Sequence, residues 1–378
     1  MENLQENRRM RKVLNIVPYP YLPFFSGGQK LIAYFNEFLG KECELHVAGT
    51  ANNNIRQVKN YTFHPLLNPN RLRYINPILI FSLGKLIRNK QIDTVILEHP
   101  YYGWLGWILK KRFPVRLIVH THNIEYERFR SIGKAWWKLL RIYETWVLRQ
   151  ADVILCISEE DRKWMIEKMQ IEKNRCILVP YGIPYRTPPE DKIKCKELIC
   201  QKHGLDRNLP LLFFNGLLDY KPNLEALDVI LNEMLPRLRE QELPYNILIA
   251  GKRLPETYKD LKAWNKQQVF YAGFVDDIDL YTKAADILLN PVISGGGVKT
   301  KMIEALGANT SVVATQSGSA GVDVSVCGGK LKIVPDYDWF LFTQTVIETI
   351  KEQKTDIPDA FYKKHYWGEV VRIVFNKD

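Results

Sequence analysis

The sequence lacks most of the features that assign a protein quickly, and each absence excludes something. No apolar run approaches the roughly 20 residues needed to cross a bilayer. Stretches such as Tyr101–Leu109 fall well short, and no apolar core of a secretory signal follows the basic opening Met1–Lys12. The expectation is a protein neither secreted nor integral to a membrane. The six cysteines, Cys43, Cys156, Cys176, Cys195, Cys200 and Cys327, form no Cys-x-x-Cys pair and no zinc-type spacing. They read as reduced core residues of a cytoplasmic protein. There is no internal repeat beyond a strand–helix rhythm, no low-complexity tract, and no arginine-rich helix or nucleic-acid recognition motif, so no nucleic acid is expected as a partner. Acidic residues are in deficit, 42 against 53 basic ones, giving a formal net charge of +11. That excess calls for an anionic partner, a nucleotide or an acidic membrane surface.

What is present is an ordinary globular composition, 46% hydrophobic and 25% charged, in 378 residues. At about 150 residues per domain this is enough for two. Short β-rich apolar runs alternate with longer helix-period segments at Val13–Val17, Leu45–Ala48, Thr94–Leu97, Leu117–His120, Val153–Ile157 and Cys176–Pro180. After Arg186–Leu209, rich in proline and charge and read as a linker, the rhythm restarts at Leu211–Asn215, Asn246–Ala250, Val269–Ala272, Asp286–Leu289, Ser311–Ala314 and Leu331–Val334. Such alternation predicts an α/β chain of two Rossmann-like domains. The expected boundaries are 1–185, 186–360, and a C-terminal helix in 361–378 that packs back on the first domain. Ligands of parallel sheets bind beyond the carboxyl ends of the strands, which directs attention to the loops there.

The most informative of those loops is Asn290 to Gly307, a strand end, three glycines (Gly295, Gly296, Gly297) and a helix expected to start near Val298. Glycines let backbone N–H groups face an anion, and a helix start adds unpaired amides and a positive dipole end. At about 100° per residue Gly297, Lys301 and Glu304 share one face, while Val298, Met302, Ala305 and Leu306 share the other. Glu304 then lies about 10 Å along the axis from Gly297, roughly the span from a diphosphate to a ribose. The plainer alternative is a glycine turn followed by an exposed Lys301–Glu304 pair.

Together these pieces resemble the retaining glycosyltransferases of family four, bacterial type. Their GT-B fold sets two Rossmann-like domains facing a central cleft. The first domain contributes Ser26-Gly27-Gly28, His122 to Arg128, Tyr143-Glu144 and Ala151 to Ile154 with Ser158. The second contributes Gly216 to Asn223, Gly273-Phe274-Val275, Ala285-Asp286 and the glycine loop with Ile303 to Leu306. The resemblance implies Gly27 and Gly28 near the donor diphosphate, and His122 beside the donor sugar with His120 as its competitor. It implies Lys221 on the diphosphate with Gly216 beside it, Gly273, Phe274 and Val275 at the base, Gly295 to Val298 on the donor, and Glu304 on the ribose; the helix reading adds Lys301 to the diphosphate clamp, with Lys299 in a lesser role. Two positions depart from the pattern: Leu217 replaces an arginine, and Gly296 replaces an acid that contacts the donor sugar. The second moves sugar contacts to the amides of Gly295–Val298.

The implied function is transfer of a sugar, with retention, from a nucleotide-diphosphate sugar (UDP- or GDP-sugar) to a saccharide or lipid-linked acceptor in surface polysaccharide or glycoconjugate synthesis. No cofactor and no divalent metal is expected as obligatory. The single Asp-x-Asp, Asp277-Ile278-Asp279, opens a helix and reads as a cap. The alternatives are a nucleotide-sugar epimerase or hydrolase of the same fold and a catalytically silent nucleotide-sugar-binding partner. An anionic membrane surface, at the inner face of the cell membrane, enters through Tyr101–Phe113 and through Lys134–Arg149. In the latter Trp136, Leu139, Leu140, Tyr143 and Val147 form an apolar stripe beside Lys134, Lys138 and Arg141. A buried crossover helix carries the same stripe.

Overall fold

The computed structural model describes residues 10–295, 297–353 and 355–375. They fall into two units, one of residues up to Pro184 together with the stretch from Trp367, the other Tyr185–Tyr366. Residues 361–366 belong to the second.

The first unit is built on seven parallel strands: β1 (Lys12–Ile16), β2 (Glu44–Thr50), β3 (Thr62–Leu67), β4 (Thr94–Glu98), β5 (Arg116–Thr121), β6 (Val153–Cys156) and β7 (Cys176–Leu178). Their order is β3-β2-β1-β4-β5-β6-β7. The second unit repeats the plan with β8 (Leu211–Asn215), β9 (Asn246–Ala250), β10 (Val269–Gly273), β11 (Ile287–Asn290), β12 (Ser311–Thr315) and β13 (Leu331–Val334), in the order β10-β9-β8-β11-β12-β13. Each is a doubly wound sheet. Its order reverses between β1 and β4 in one unit and between β8 and β11 in the other, and such a switch point opens a crevice beyond the carboxyl ends of the strands.

Helices cover both faces, so the central strands are buried runs such as Leu14 to Ile16 and Leu211 to Phe214, apolar except for Asn15, which is buried as well. Strand β3 differs. Thr62-Phe63-His64-Pro65-Leu66-Leu67 is mostly outside the core. It is an edge strand, the one position where a proline is tolerated, and neither periodicity nor burial announces it. The segment Arg186–Leu209 is not a linker, because it contains the helix Lys192–His203, closed by Gly204 with φ 65°. That helix buries Cys195, Ile199 and Cys200 and sends Lys192 Nζ to the carbonyls of Lys283 and Ala285, each at 2.7 Å. The six cysteines are buried and unpaired with one another as disulfides.

Trp367, 1% exposed, fixes the last segment to the first unit. Its amide donates to Ile183 O at 3.0 Å, and its ring lies so close to Gly182 that a Cβ there would sit 2.4 Å from it. The helix Trp137–Gln150 turns Glu144, Val147 and Leu148 inward, with Leu140 and Tyr143 packed beside the core. Trp136, Leu139 and Ile142 remain 46, 70 and 69% exposed. The outward apolar set is thus not the expected stripe: three of its five members pack inward and Ile142 joins the other two. No helix among the described residues is long and apolar enough to cross a membrane.

Candidate functional site

In the second unit the loops beyond β8, β9 and β10 meet backbone to backbone. Gly251, at φ 156°, lies so close to the β8 loop that a Cβ on it would fall 1.9 Å from Gly216 O. Its N–H donates to Gly273 O at 2.8 Å, and Gly216 N–H donates to Ala250 O at 3.1 Å. Gly273 has φ 69°. Phe274 stands 45% exposed beyond it, with Lys252 Nζ 3.7 Å from its ring centroid, and Val275 is half-buried. Lys252 was not among the residues expected here. Its only signal in the sequence is its place one residue after the close-packed Gly251.

The glycine loop follows β11. Gly295 and Gly297 have φ 90° and 75°, a region that side chains rarely adopt, so these two positions need glycine for conformation as well as for access. Gly296 lies outside the described residues. The helix begins at Thr300 with Lys299 as its cap residue, two positions later than expected, since the chain is still turning through the left-handed Gly297. Lys299 Nζ folds back to donate to Gly295 O at 2.6 Å. Ser294 Oγ lies 3.3 Å from Glu225 Oε2, and Glu225 Oε1 lies 3.6 Å from Lys221 Nζ. The helix Lys221–Asp228 thereby joins the loop. The Lys221 side chain itself is 85% exposed.

Lys301 takes the opposite position. Its Nζ lies 4.8 Å from the Phe214 ring centroid and 3.4 Å from Asn215 O, at the end of β8. Burial first, and the charge of Lys299 second, push its pKa down to about 7. Met302, Ile303, Ala305 and Leu306 are buried, whereas Lys301 and Glu304 keep part of their surface on the remaining face. The helical arithmetic for Lys301 and Glu304 therefore holds, although the helix starts later.

Asp277 caps the helix Ile278–Ala284, its side chain accepting from Leu280 N–H at 3.0 Å.

The first unit brings Gly28 and His122 to one place through residues that were not singled out. A Cβ on Gly28 would stand 3.7 Å from Tyr19 Oη, and Gly27 opens the same helix. Tyr19 Oη lies 2.7 Å from His99 Nε2, and the His99 and His122 rings are 4.1 Å apart at their centroids. In the β4–β5 ladder Glu98 is registered with His120, which puts His122 just past the strand end on the same side. His120 is therefore a neighbour of His122 on one acid, not its competitor. His122 Nε2 is 2.7 Å and His120 Nδ1 3.0 Å from Glu98 Oε2, while Asn15 Nδ2 donates to Glu98 Oε1 at 2.9 Å. Burial alone would raise Glu98, but the two histidines outweigh it and hold the carboxyl well below its usual range.

A second acid–histidine pair lies alongside. His99 Nδ1 is 3.0 Å from Glu125 Oε1, and Tyr101 Oη and Arg128 Nη2 donate to Glu125 Oε2 at 2.7 and 2.8 Å. His99 holds φ 66° and ψ 161°, a backbone strain of the kind that costs about 1–3 kcal/mol and clusters at functional sites. Glu144 receives the backbone N–H groups of Glu125 and Tyr126 at 3.0 and 2.9 Å, seating the helix that carries Glu125. The sequence signal for Glu98 is an acid closing an otherwise apolar strand. Among the described residues, Glu98, His120 and His122 are also the grouping whose ligand atoms lie close enough, within 4.8 Å, to hold a cation. Within the stretch Tyr101–Phe113, Tyr102 is buried and Trp104 Nε1 donates to Tyr74 O at 2.8 Å.

Comparison with known proteins agrees with this architecture. Residues 25–186 match the family model described as Glycosyltransferase Family 4, and residues 210–352 the one described as Glycosyl transferases group 1. A Klebsiella pneumoniae protein described as an uncharacterized 44.6 kDa protein in the cps region is 26% identical over 288 residues, covering 71% of this chain and 68% of that one. A glycosyltransferase from Rickettsia africae superposes with a TM-score of 0.71 at 14% identity, over 97% of this chain and 99% of that one. HepE of Anabaena, solved with UDP-glucose, gives 0.67 at 16% identity over 97% and 98%. WaaG, a glycosyltransferase of lipopolysaccharide biosynthesis, gives 0.62 at 15% over 95% and 94%. At such identities the solved structures speak for the fold.

Proposed function

Taking the chain as a glycosyltransferase of GT-B fold, as its two matched domains make it, we propose that it moves a hexose from a UDP- or GDP-sugar to a saccharide or lipid-linked saccharide, with retention at the anomeric carbon. The observation that carries this reading is the gathering of Lys299, Lys301, Gly295 and Gly297 at the switch point between β8 and β11, with Lys221 tied to the same loop through Glu225 and Ser294. A leaving diphosphate gains negative charge as the glycosidic bond breaks, and fixed cations and backbone amides aimed at it favour that step. Lys221 and Lys301 bind the diphosphate, Glu304 the ribose hydroxyls, and Gly273 to Val275 border the base. Gly27, Gly28 and His122 are the first unit's own candidates for ligand contact. HepE was solved in complex with UDP-glucose, which supports a nucleotide sugar as the donor class. The cps-region relative and WaaG support surface polysaccharide as the setting. The +11 charge and the exposed Trp136, Leu139 and Ile142 support attachment to an anionic membrane surface, where a lipid-linked acceptor is found.

The test is a thermal-shift panel of nucleotide sugars, followed by titration of the best ligand into the Glu304→Ala variant. A donor that binds the native state raises the melting temperature by mass action and identifies base and sugar together. Removing a charged hydrogen-bond partner should cost about 1.5–3 kcal/mol of binding. An unchanged dissociation constant in a folded variant would remove Glu304 from the ribose site. The anomeric configuration of the product, read by NMR, decides retention.

A further inference from the structure

The two acid–histidine pairs of the first unit differ in one respect. Both ring nitrogens of His99 are used, Nδ1 toward Glu125 and Nε2 toward the Tyr19 hydroxyl. His122 uses only Nε2, toward Glu98, and its Nδ1 is buried with no hydrogen-bond partner. His120 Nδ1, 3.0 Å from the same Glu98 oxygen, makes no hydrogen bond to it, so the short contact belongs to His122. Buried polar atoms are nearly always paired, and an orphan at the carboxyl end of a central strand, beside the switch point, calls for a partner the ligand brings.

The proton can be placed. Glu98 is held ionised by the histidines around it, and a carboxylate only accepts, so the hydrogen on the 2.7 Å contact sits on His122 Nε2. A cationic ring would leave an N–H at the buried Nδ1 with nothing to accept it, so the ring carries its single N–H at Nε2. Nδ1 then carries a lone pair and no hydrogen.

We propose that Glu98 is a positioning residue that fixes His122 as its Nε2–H tautomer, so that Nδ1 accepts a hydrogen bond from a hydroxyl of the bound sugar. Asn15 steadies the acid from its other oxygen. The inference rests on the reading that this chain binds a nucleotide sugar, but the tautomer itself does not. Histidine-labelled ¹⁵N NMR of the unliganded protein, with His122 assigned by the loss of its signals in His122→Asn, should show Nε2 protonated and Nδ1 bare. A protonated Nδ1 in the wild type overturns the proposal. So does tight one-to-one zinc uptake that moves the His120 and His122 signals together, because an ion would then hold the ligand atoms.

Function is read by two further comparisons. The Asn side-chain oxygen occupies the place of Nδ1 and the Gln side chain that of Nε2, so His122→Asn should retain more transfer than His122→Gln. Glu98→Gln, which keeps the volume and removes the charge, should blur the tautomer and lower kcat about ten- to a hundred-fold, the worth of a charged hydrogen bond. Equal activity of the two His122 variants, or an unaltered tautomer and kcat in Glu98→Gln, would sink it. If the wild type turns over no nucleotide sugar, the functional reading falls while the NMR result still decides the role of Glu98.

Discussion

At the scale of single residues, Lys301 is the side chain whose chemistry changes most when an anion arrives. It is half-buried at the end of β8, and its pKa of about 7 lies far below that of a free lysine because burial, aided by Lys299, disfavours the charged form. A diphosphate beside it would favour that charged form and lift the pKa. Binding near or above neutrality should therefore take up a proton, and affinity should fall as pH rises from about 7 toward the higher bound-state pKa. Calorimetry of nucleoside diphosphate binding in buffers of different ionisation enthalpy measures that uptake. It should vanish in Lys301→Met, and uptake persisting in that variant would assign the proton elsewhere. Lys301 and Glu304 were legible in the sequence because helical periodicity alone puts them on one face. Glu98, His99 and Tyr19 were not, because their meeting depends on strand register and on loops brought together by the fold.

At the scale of elements, the helix Ile278–Ala284 decides between two uses of Asp277. An Asp-x-Asp holds a metal in some nucleotide-sugar enzymes' chemistry, but here the first aspartate is committed to Leu280 N–H. Asp277→Ala should cost about 1 kcal/mol of stability, the worth of an N-cap, in a denaturant titration. Transfer should continue at the wild-type rate in that variant and in the presence of EDTA, and a loss of activity in both would restore the metal reading. The strands of both sheets could be read from their apolar runs because each is covered on both faces. β3 could not, since an edge strand with Pro65 has neither alternation nor burial. The helix Lys192–His203 was hidden for a different reason: its buried side is only Cys195, Ile199 and Cys200, and the charged surface around them resembles a linker.

At the scale of the whole molecule, the excess of basic over acidic residues, 53 against 42, exceeds what a diphosphate site needs. In the first unit, Lys134, Lys138 and Arg141 are exposed alongside Trp136, Leu139 and Ile142, a mixture of cations and apolar side chains suited to an interface between water and anionic lipid. The inward turn of Leu140, Tyr143 and Val147 makes a clean experiment available, because Leu139 and Ile142 contribute little to the core. Each basic residue near an anionic surface contributes about 1 kcal/mol, and at 0.1 M salt the attraction is screened over about 10 Å. Binding to vesicles containing acidic lipid should therefore exceed binding to neutral ones at low salt and weaken as salt is added. The double variant Leu139→Asp, Ile142→Asp should lose vesicle binding while its melting temperature and its titration by nucleotide sugar stay unchanged. Equal co-sedimentation of the wild type with anionic and neutral vesicles at low salt would detach the positive charge from the membrane and make a soluble saccharide the acceptor to test first.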